Sequence, residues 1–254
     1  MKIGAQLYTV RDFCRTKEDF SDTLKKVADI GYTTVQVSGT CEYEGEWLRE
    51  ELKKNGLSCV LTHYPVDKML EYPEETCQKH LLFGCDRIGI GSVPGGVFDD
   101  DVYNDFAKKL RKIIDGFKPY GGRLYYHNHH MEFQRDSKGV LFLDRLLSDF
   151  SGEELGITFD TYWAQYAGAN PAAVLAEKLA GRAECIHLKD MCVVNREQRM
   201  APVGFGNMDF EAVFKAAEAA NVKYMLVEQD NCYDESPFDA LKKSYNYLKS
   251  KGFD

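Results

Sequence analysis

Four short apolar runs in this chain each end on a potential metal ligand. They are Leu124-Tyr125-Tyr126-His127, Gly156-Ile157-Thr158-Phe159-Asp160, Cys185-Ile186-His187 and Tyr224-Met225-Leu226-Val227-Glu228. Successive ligands lie 33, 27 and 41 residues apart, and each gap has room for a helix, two loops and a strand. Parallel strands joined by crossover helices keep all their C-terminal ends on one face of a sheet. Two imidazoles and two carboxylates from different strands therefore converge on one spot. The pattern predicts a metal site carried by a barrel.

The rest of the chain supplies the other units of that barrel. Candidate strands lie near residues 2–8, 33–38, 57–63, 86–91, 122–128, 155–160, 184–189 and 223–228. Amphipathic stretches separate them. In the segment 20–30, apolar residues at 20, 24, 27, 28 and 30 mark one helical face, and Gly31 closes the helix. Lys53-Lys54-Asn55-Gly56 closes the next one. Further helices are expected over Val102–Phe117, Phe142–Phe150, Pro171–Ala180, Phe210–Ala220 and Pro237–Lys251, with Asn170 as the N-cap before Pro171. Eight β/α units in about 250 residues is the usual size of a TIM barrel. The expected fold is thus α/β, a (β/α)8 TIM barrel, as a single domain over residues 1–254. A doubly wound open sheet is the alternative, but no Gly-rich dinucleotide loop follows the first strand.

Composition narrows the function classes. No apolar stretch of about 18 residues is present to span a membrane. The first residues, Met1-Lys2-Ile3-Gly4-Ala5-Gln6-Leu7-Tyr8, read as a strand rather than a signal peptide. The eight cysteines form no C-x-x-C pair and are expected as reduced thiols in a cytoplasmic protein. A net charge of -8 gives no electrostatic reason to bind nucleic acid. H-E-x-x-H, G-x-S-x-G and P-loop motifs are absent, so zincin, serine hydrolase and nucleotide-triphosphatase readings have no support.

Histidine placement sharpens the metal reading. Of six histidines, His63 ends the third strand, His127, His129 and His130 end the fifth, and His187 lies in the seventh. Only His80 falls within an expected helix. TIM-barrel active sites are built at strand C-terminal ends. Asp160 and Glu228 cap apolar runs, where an unpaired buried charge would cost several kcal/mol. A divalent ion held by His127, Asp160, His187 and Glu228 offsets that cost. For Asp160 alone, a helix N-cap is the competing reading. Mixed imidazole and carboxylate ligands suit Mn2+, the expected ion, with Co2+, Fe2+, Zn2+ or Mg2+ as alternatives to it.

These residues resemble the sugar phosphate isomerase/epimerase group with its xylose isomerase-like TIM barrel. The likeness rests on Ile3-Gly4-Ala5-Gln6-Leu7-Tyr8-Thr9-Val10-Arg11, Tyr126-His127-Asn128-His129-His130-Met131-Glu132-Phe133 and Asp160-Thr161-Tyr162-Trp163. It continues in His187-Leu188-Lys189-Asp190, Pro202-Val203-Gly204-Phe205-Gly206 and Val227-Glu228-Gln229-Asp230. Tagatose-epimerase-like members hold their metal with Glu, Asp, His and Glu from strands five to eight. The last three match Asp160, His187 and Glu228, but His127 stands where the first Glu would be. Both glutamates move protons in those members, so a two-glutamate epimerisation does not carry over.

A divalent ion that chelates adjacent carbonyl and hydroxyl oxygens stabilises an enediolate, and a positioned base removes the neighbouring proton. Candidate bases are Glu228, Glu132, which could replace the missing carboxylate, and Lys189. Lys189 lies two residues after His187 and so points the same way. It could also hold an oxyanion, phosphate or carboxylate. Tyr8, His63, His129 and Trp163 are candidate substrate contacts, Trp163 by stacking on a sugar ring. Arg11, Arg196 and Arg199 are expected on loops of the same face, and Gly204-Phe205-Gly206 on a loop over the seventh strand, as a candidate lid. The leading expectation is a metal-dependent isomerase or epimerase of a sugar, keto-sugar or sugar phosphate. A lyase or dehydratase and a noncatalytic sugar-binding or partner subunit are the alternatives. The expected partner is a small carbohydrate, with no nucleic acid and no membrane. A homo-oligomer is compatible with the sequence.

Overall fold

The apolar runs become strands that are buried along nearly their whole length, which is why they read as continuous rather than alternating hydrophobic segments. This holds in a computed structural model that describes residues 1–97 and 99–254. In chain order the strands are β1 (Lys2–Gln6), β2 (Thr34–Val37), β3 (Ser58–His63), β4 (Arg87–Ile90), β5 (Arg123–His127), β6 (Leu155–Asp160), β7 (Cys185–Leu188), β8 (Asp190–Val194), β9 (Glu197–Ala201) and β10 (Tyr224–Val227). Eight of them close into one parallel barrel in the order β1-β2-β3-β4-β5-β6-β7-β10. The expected TIM barrel is what forms. β8 and β9 stand apart as an antiparallel hairpin. The sequence reading put Arg196 and Arg199 on loops; Arg199 lies on β9 and Arg196 in the turn, at φ 72°.

The helices that wrap the barrel are α1 (Lys17–Ile30), α2 (Gly45–Lys54), α3 (Val66–Glu71), α4 (Pro73–Leu82), α5 (Asp100–Phe117), α6 (Phe142–Asp149), α7 (Thr161–Tyr166), α8 (Pro171–Lys178), α9 (Phe210–Ala219) and α10 (Pro237–Ser250). Their starts follow capping chemistry. The side chains of Thr16, Asp99, Asn170 and Asp209 accept backbone N–H groups of the first turns of α1, α5, α8 and α9. On α5, Tyr103, Phe106, Leu110, Ile113 and Phe117 recur at helical spacing and are all buried against the sheet. Leu110→Ala would leave a cavity there and cost roughly 2–5 kcal/mol. Among the described residues, no helix is long and apolar enough to cross a membrane.

Inside the barrel, Leu61, Tyr125, Cys185 and Leu226 form a small apolar plug. It fits because two strands carry glycine opposite bulk. A β-carbon at Gly156 would stand 2.4 Å from the Tyr125 ring, and one at Gly4 would stand 2.6 Å from Leu226 Cδ2. Side chains on a strand alternate faces, so residues two positions on also point inward. Above the plug these are Gln6, Gln36, His63, His127, Asp160, His187 and Glu228. The polar layer is therefore set on an apolar floor.

Candidate metal centre

The four candidate ligands meet. His127, Asp160, His187 and Glu228 each offer one ligand atom, and these atoms lie within 4.8 Å of one another, all buried. β6 ends on Asp160, whose two oxygens do different work. Oδ1 accepts the Trp163 N–H at 2.9 Å and caps α7, while Oδ2 lies 3.2 Å from His127 Nε2 and 3.6 Å from His187 Nδ1. The capping and ligand readings of this residue are compatible.

Each imidazole is oriented by a partner on its outer nitrogen. His127 Nδ1 lies 2.9 Å from the Gly91 carbonyl, and His187 Nε2 lies 2.6 Å from Gln36 Oε1. Donation to those oxygens turns the inner nitrogens, His127 Nε2 and His187 Nδ1, toward the carboxylates. His187 Nδ1 and Glu228 Oε2 are 2.8 Å apart. Burial alone would lower the His187 pKa, but the Glu228 and Asp160 carboxylates outweigh it and raise it, so Nδ1 is a place for positive charge, a proton or a divalent ion. Outer-nitrogen hydrogen bonds of this kind are what orient metal-bound histidines. A divalent ion fits this donor set.

Lys189 shares the same oxygens. Its Nζ lies 3.2 Å from Asp160 Oδ2, 3.0 Å from Glu228 Oε2 and 3.0 Å from Asp230 Oδ2. Three carboxylates thus surround a single ammonium. Burial alone would raise Asp160 and Glu228, but Lys189 and the imidazoles outweigh it and hold both well below the usual carboxylate range. Burial likewise disfavours the Lys189 charge, and the three carboxylates overcome it and raise its pKa. Asp230 is pushed the other way. Burial and the Glu228 charge raise it to about 7.

Over this cluster opens a cavity of about 360 Å³ lined by Tyr8, Arg11, Ser38, His63, His127, His129, Lys189, Glu228 and Asp230, among others. His63 Nε2, His129 Nδ1 and Asp230 Oδ1 are shielded and make no hydrogen bond to protein. Burial lowers both histidines, His129 to about 3, so both are neutral near pH 7. Tyr8 sits at the rim with the Arg11 guanidinium 4.3 Å above its ring. His129 lies edge-on to His127, with ring centroids 4.7 Å apart.

Several expected residues lie elsewhere. Glu132 is fully buried, its carboxylate held by the Tyr126 hydroxyl and, at 2.7 Å, by the His129 N–H. It does not line the cavity, because the 3-10 turn Met131–Phe133 carries it behind the strand end. Trp163 also stands back from the cavity, 5.3 Å from the His129 ring and 5.5 Å from Lys189 Nζ. His130 packs on Trp163. Arg199 pairs with Glu197 at 3.1 Å. His80 lies in α4 as expected, with Nε2 3.0 Å from Thr62 Oγ1. Gly204 and Gly206 donate their N–H groups to Asp190 Oδ2, which pins their loop beside the hairpin.

Sequence reasoning gave no role to Asp230, Gln36 or Gln6, whose Nε2 donates to Glu228 Oε1 at 3.1 Å. The signal was available. Asp230 follows Glu228 by two, as Lys189 follows His187, and both glutamines sit in otherwise apolar strands.

Residues 24–251 match the family described as xylose isomerase-like TIM barrel. An inosose dehydratase from Clostridium beijerinckii is 29% identical over 172 residues, covering 61% of this chain and 56% of that protein. A 2-oxo-tetronate isomerase from Pectobacterium atrosepticum is 29% identical over 131 residues, covering 42% of this chain and 48% of that protein. The chain spans about half the length of these curated relatives. A solved sugar phosphate isomerase/epimerase from Parabacteroides distasonis superposes with a TM-score of 0.82 over 98% of this chain and 93% of that one, at 20% identity. At that identity the likeness is one of fold. With a matching barrel and a family match over most of its length, the chain belongs to the xylose isomerase-like TIM barrel family.

Proposed function

We propose that this chain is a divalent-metal-dependent isomerase or epimerase that acts on a sugar, keto-sugar or sugar phosphate through an enediolate. The observation that carries the reading is the pair of imidazoles whose outer nitrogens face fixed acceptors and whose inner nitrogens face carboxylates. His127, Asp160, His187 and Glu228 would hold the ion, with Mn2+ expected. When bound, it supplies Lewis-acid stabilisation of negative charge developing on adjacent substrate oxygens.

The remaining steps fall to the chain's own side chains. Asp230 Oδ1 is an unpartnered oxygen at the cavity, and it takes the proton from the carbon next to the carbonyl. The Lys189 ammonium is held against Asp230 Oδ2 and steadies the substrate oxyanion, and Asp230 gives the proton back to the neighbouring carbon. His63 Nε2 and His129 Nδ1 orient substrate hydroxyls, and Tyr8 closes the rim. Glu132 acts at one remove by fixing the backbone of His129, and Trp163 by backing the same ring.

The charged groups at the cavity, Lys189, Glu228 and Asp230, all lie just past the C-terminal ends of the neighbouring strands β7 and β10. Proton transfer on one face suits an aldose–ketose shift better than a two-base epimerisation. It suits a dehydratase equally, since the same enediolate can expel a β-hydroxyl. The inosose dehydratase relative supports that second reading. The eight cysteines are unpaired, which supports a reducing, cytoplasmic location.

Deuterium exchange from solvent into the substrate α-position tests the reading, because it reports proton abstraction whatever product follows. Asp230→Asn should slow exchange roughly 10²–10⁴-fold. Unchanged product mass marks an isomerase, and loss of water a dehydratase. A Mn2+-loaded wild type that exchanges no candidate sugar would leave a sugar-binding subunit as the better reading.

A further inference from the structure

A second cavity of about 220 Å³ adjoins the first across Ser38 and His63, which line both. Ser38 Oγ lies 3.2 Å from His63 Nδ1, and the opposite nitrogen of that ring has no partner. The far wall is built from the loop before α2, the start of α3 and the last turn of α4. It carries Tyr43, Tyr64, Lys68 and Lys79.

Lys79 is the unusual member. Its Nζ lies 4.3 Å from the Tyr43 ring centroid and 5.4 Å from that of Tyr64, and it pairs with no carboxylate among the described residues. Lys68, by contrast, is neutralised by Glu42 at 2.8 Å. The lining therefore holds two ammoniums against one carboxylate, in a chain whose net charge is -8. Burial, with Lys68 adding to it, lowers the Lys79 pKa, and Glu42 and Glu44 offset that only in part. A half-buried cation on an aromatic wall beside a polar cavity is arranged to receive an anion.

We propose that this second cavity is an anion subsite, in which Lys79 holds a carboxylate or phosphate at the end of the substrate farthest from the candidate metal centre. The proposal rests on the reading that the main cavity takes a carbohydrate. Tyr43 and Tyr64 wall the subsite. Ser38 and His63, shared between the cavities, meet the hydroxyls between the reacting carbons and the charged end. The substrate class is then an acidic or phosphorylated sugar rather than a neutral one.

The test uses the Mn2+-loaded chain and three probes of one skeleton: fructose, fructose 6-phosphate and fructuronate. Isothermal titration of the wild type should show one anion binding at least about tenfold tighter than fructose, the worth of one charge-assisted hydrogen bond. The preferred anion identifies phosphate or carboxylate. Lys79→Met should erase that ratio while fructose binding stays within about twofold, and Lys79→Arg should keep it. Anions that bind no tighter than fructose, or a ratio that survives in Lys79→Met, would overturn the proposal. If no probe sugar binds at all, the carbohydrate reading of the main cavity fails. The subsite is then read alone from ³¹P line broadening of inorganic phosphate. Weaker broadening in Lys79→Met than in wild type supports it, and equal broadening overturns it.

Discussion

The two ends of this barrel carry ionic clusters built on opposite plans. At the N-terminal end, Glu184 receives Arg87 at 2.7 Å, Arg123 at 3.1 Å and Lys223 at 3.1 Å, and Asp86 adds a second anion 3.0 Å from Arg87. Cations there outnumber anions, solvent reaches the cluster, and both Glu184 oxygens have partners. At the C-terminal end anions outnumber cations, the cluster is buried, and His187 Nδ1 and Asp230 Oδ1 make no hydrogen bond. The first cluster is complete as it stands. The second is complete only with something added, and two more positive charges would match its three carboxylates and one ammonium. A polar network that is satisfied serves the fold, and one that is not marks a place for a ligand.

The comparison breaks most visibly if the upper cluster does not need a cation. In the wild type, Mn2+ at 100 times its dissociation constant should stabilise the fold by about 2.7 kcal/mol. Asp160→Asn should weaken binding by more than the roughly 100-fold that loss of an outer-shell partner can cost, and abolish the stabilisation. Isothermal titration and thermal denaturation with and without Mn2+ measure both. Equal affinity in the two proteins would remove Asp160 from the coordination sphere.

Next in size is the effect of the built-in cation. Lys189 Nζ lies within hydrogen-bond distance of Asp160 Oδ2 and Glu228 Oε2, so a metal on those oxygens feels its repulsion. Two unit charges 4 Å apart interact by about 4 kcal/mol at an effective dielectric of 20, an upper figure before relaxation. Lys189→Met should therefore tighten Mn2+ binding, by about tenfold or more. Arg87→Met, at the other end, should leave it unchanged. Weaker Mn2+ binding in Lys189→Met would mean that the ammonium organises the ligands rather than competes with their ion.

How legible each region was in the sequence follows from the range of the interactions that make it. The barrel and the quartet could be read because both depend on local patterns, namely apolar runs, helical spacing and a polar residue at each strand end. Glu132 misled because its distance along the chain says nothing of a 3-10 turn that swings it behind β5. The β8–β9 hairpin was missed because its exposed strands, with Val193 and Val194 outside, lack the buried pattern that marks the barrel strands. Gln36 was missed because its role exists only through His187, 151 positions away. Local order shows in one sequence, whereas a partner on a distant strand does not.

A pair of amide substitutions sharpens the contrast in stability. Glu184→Gln removes the anion that three cations share and should cost about 1–2 kcal/mol, between an exposed pair and a buried one. Glu228→Gln, with metal removed by chelation, should cost less, because Lys189 keeps Asp160 and Asp230 as partners. Urea denaturation of both variants decides the matter. The reverse order of costs would show the upper cluster to be the one that holds the fold together.

The smallest expected effect is also the most diagnostic, because the two ends should respond to pH with opposite signs. Glu184, held to about 2 by its cations against the pull of burial, has a folded pKa below its unfolded value. Its contribution is present above about pH 4.3 and is lost as pH falls toward 2. Asp230, raised to about 7, has a folded pKa above its unfolded value. The metal-free fold therefore prefers its protonated form. That preference stabilises fully below about pH 3.9 and is lost as pH rises through 7. Asp230→Asn mimics the protonated carboxyl and should be more stable than wild type at pH 8, by about 1 kcal/mol once solvent and relaxation are allowed for. The advantage should shrink steadily below pH 7 and vanish near pH 4. Saturating Mn2+ should remove most of it at every pH, because an added cation favours the ionised carboxylate. Chemical denaturation from pH 4 to 8, with chelator and with Mn2+, measures all three points. A variant no more stable than wild type at pH 8 would mean that Lys189 alone already balances Asp230, and the upper cluster would then need no added charge on its account.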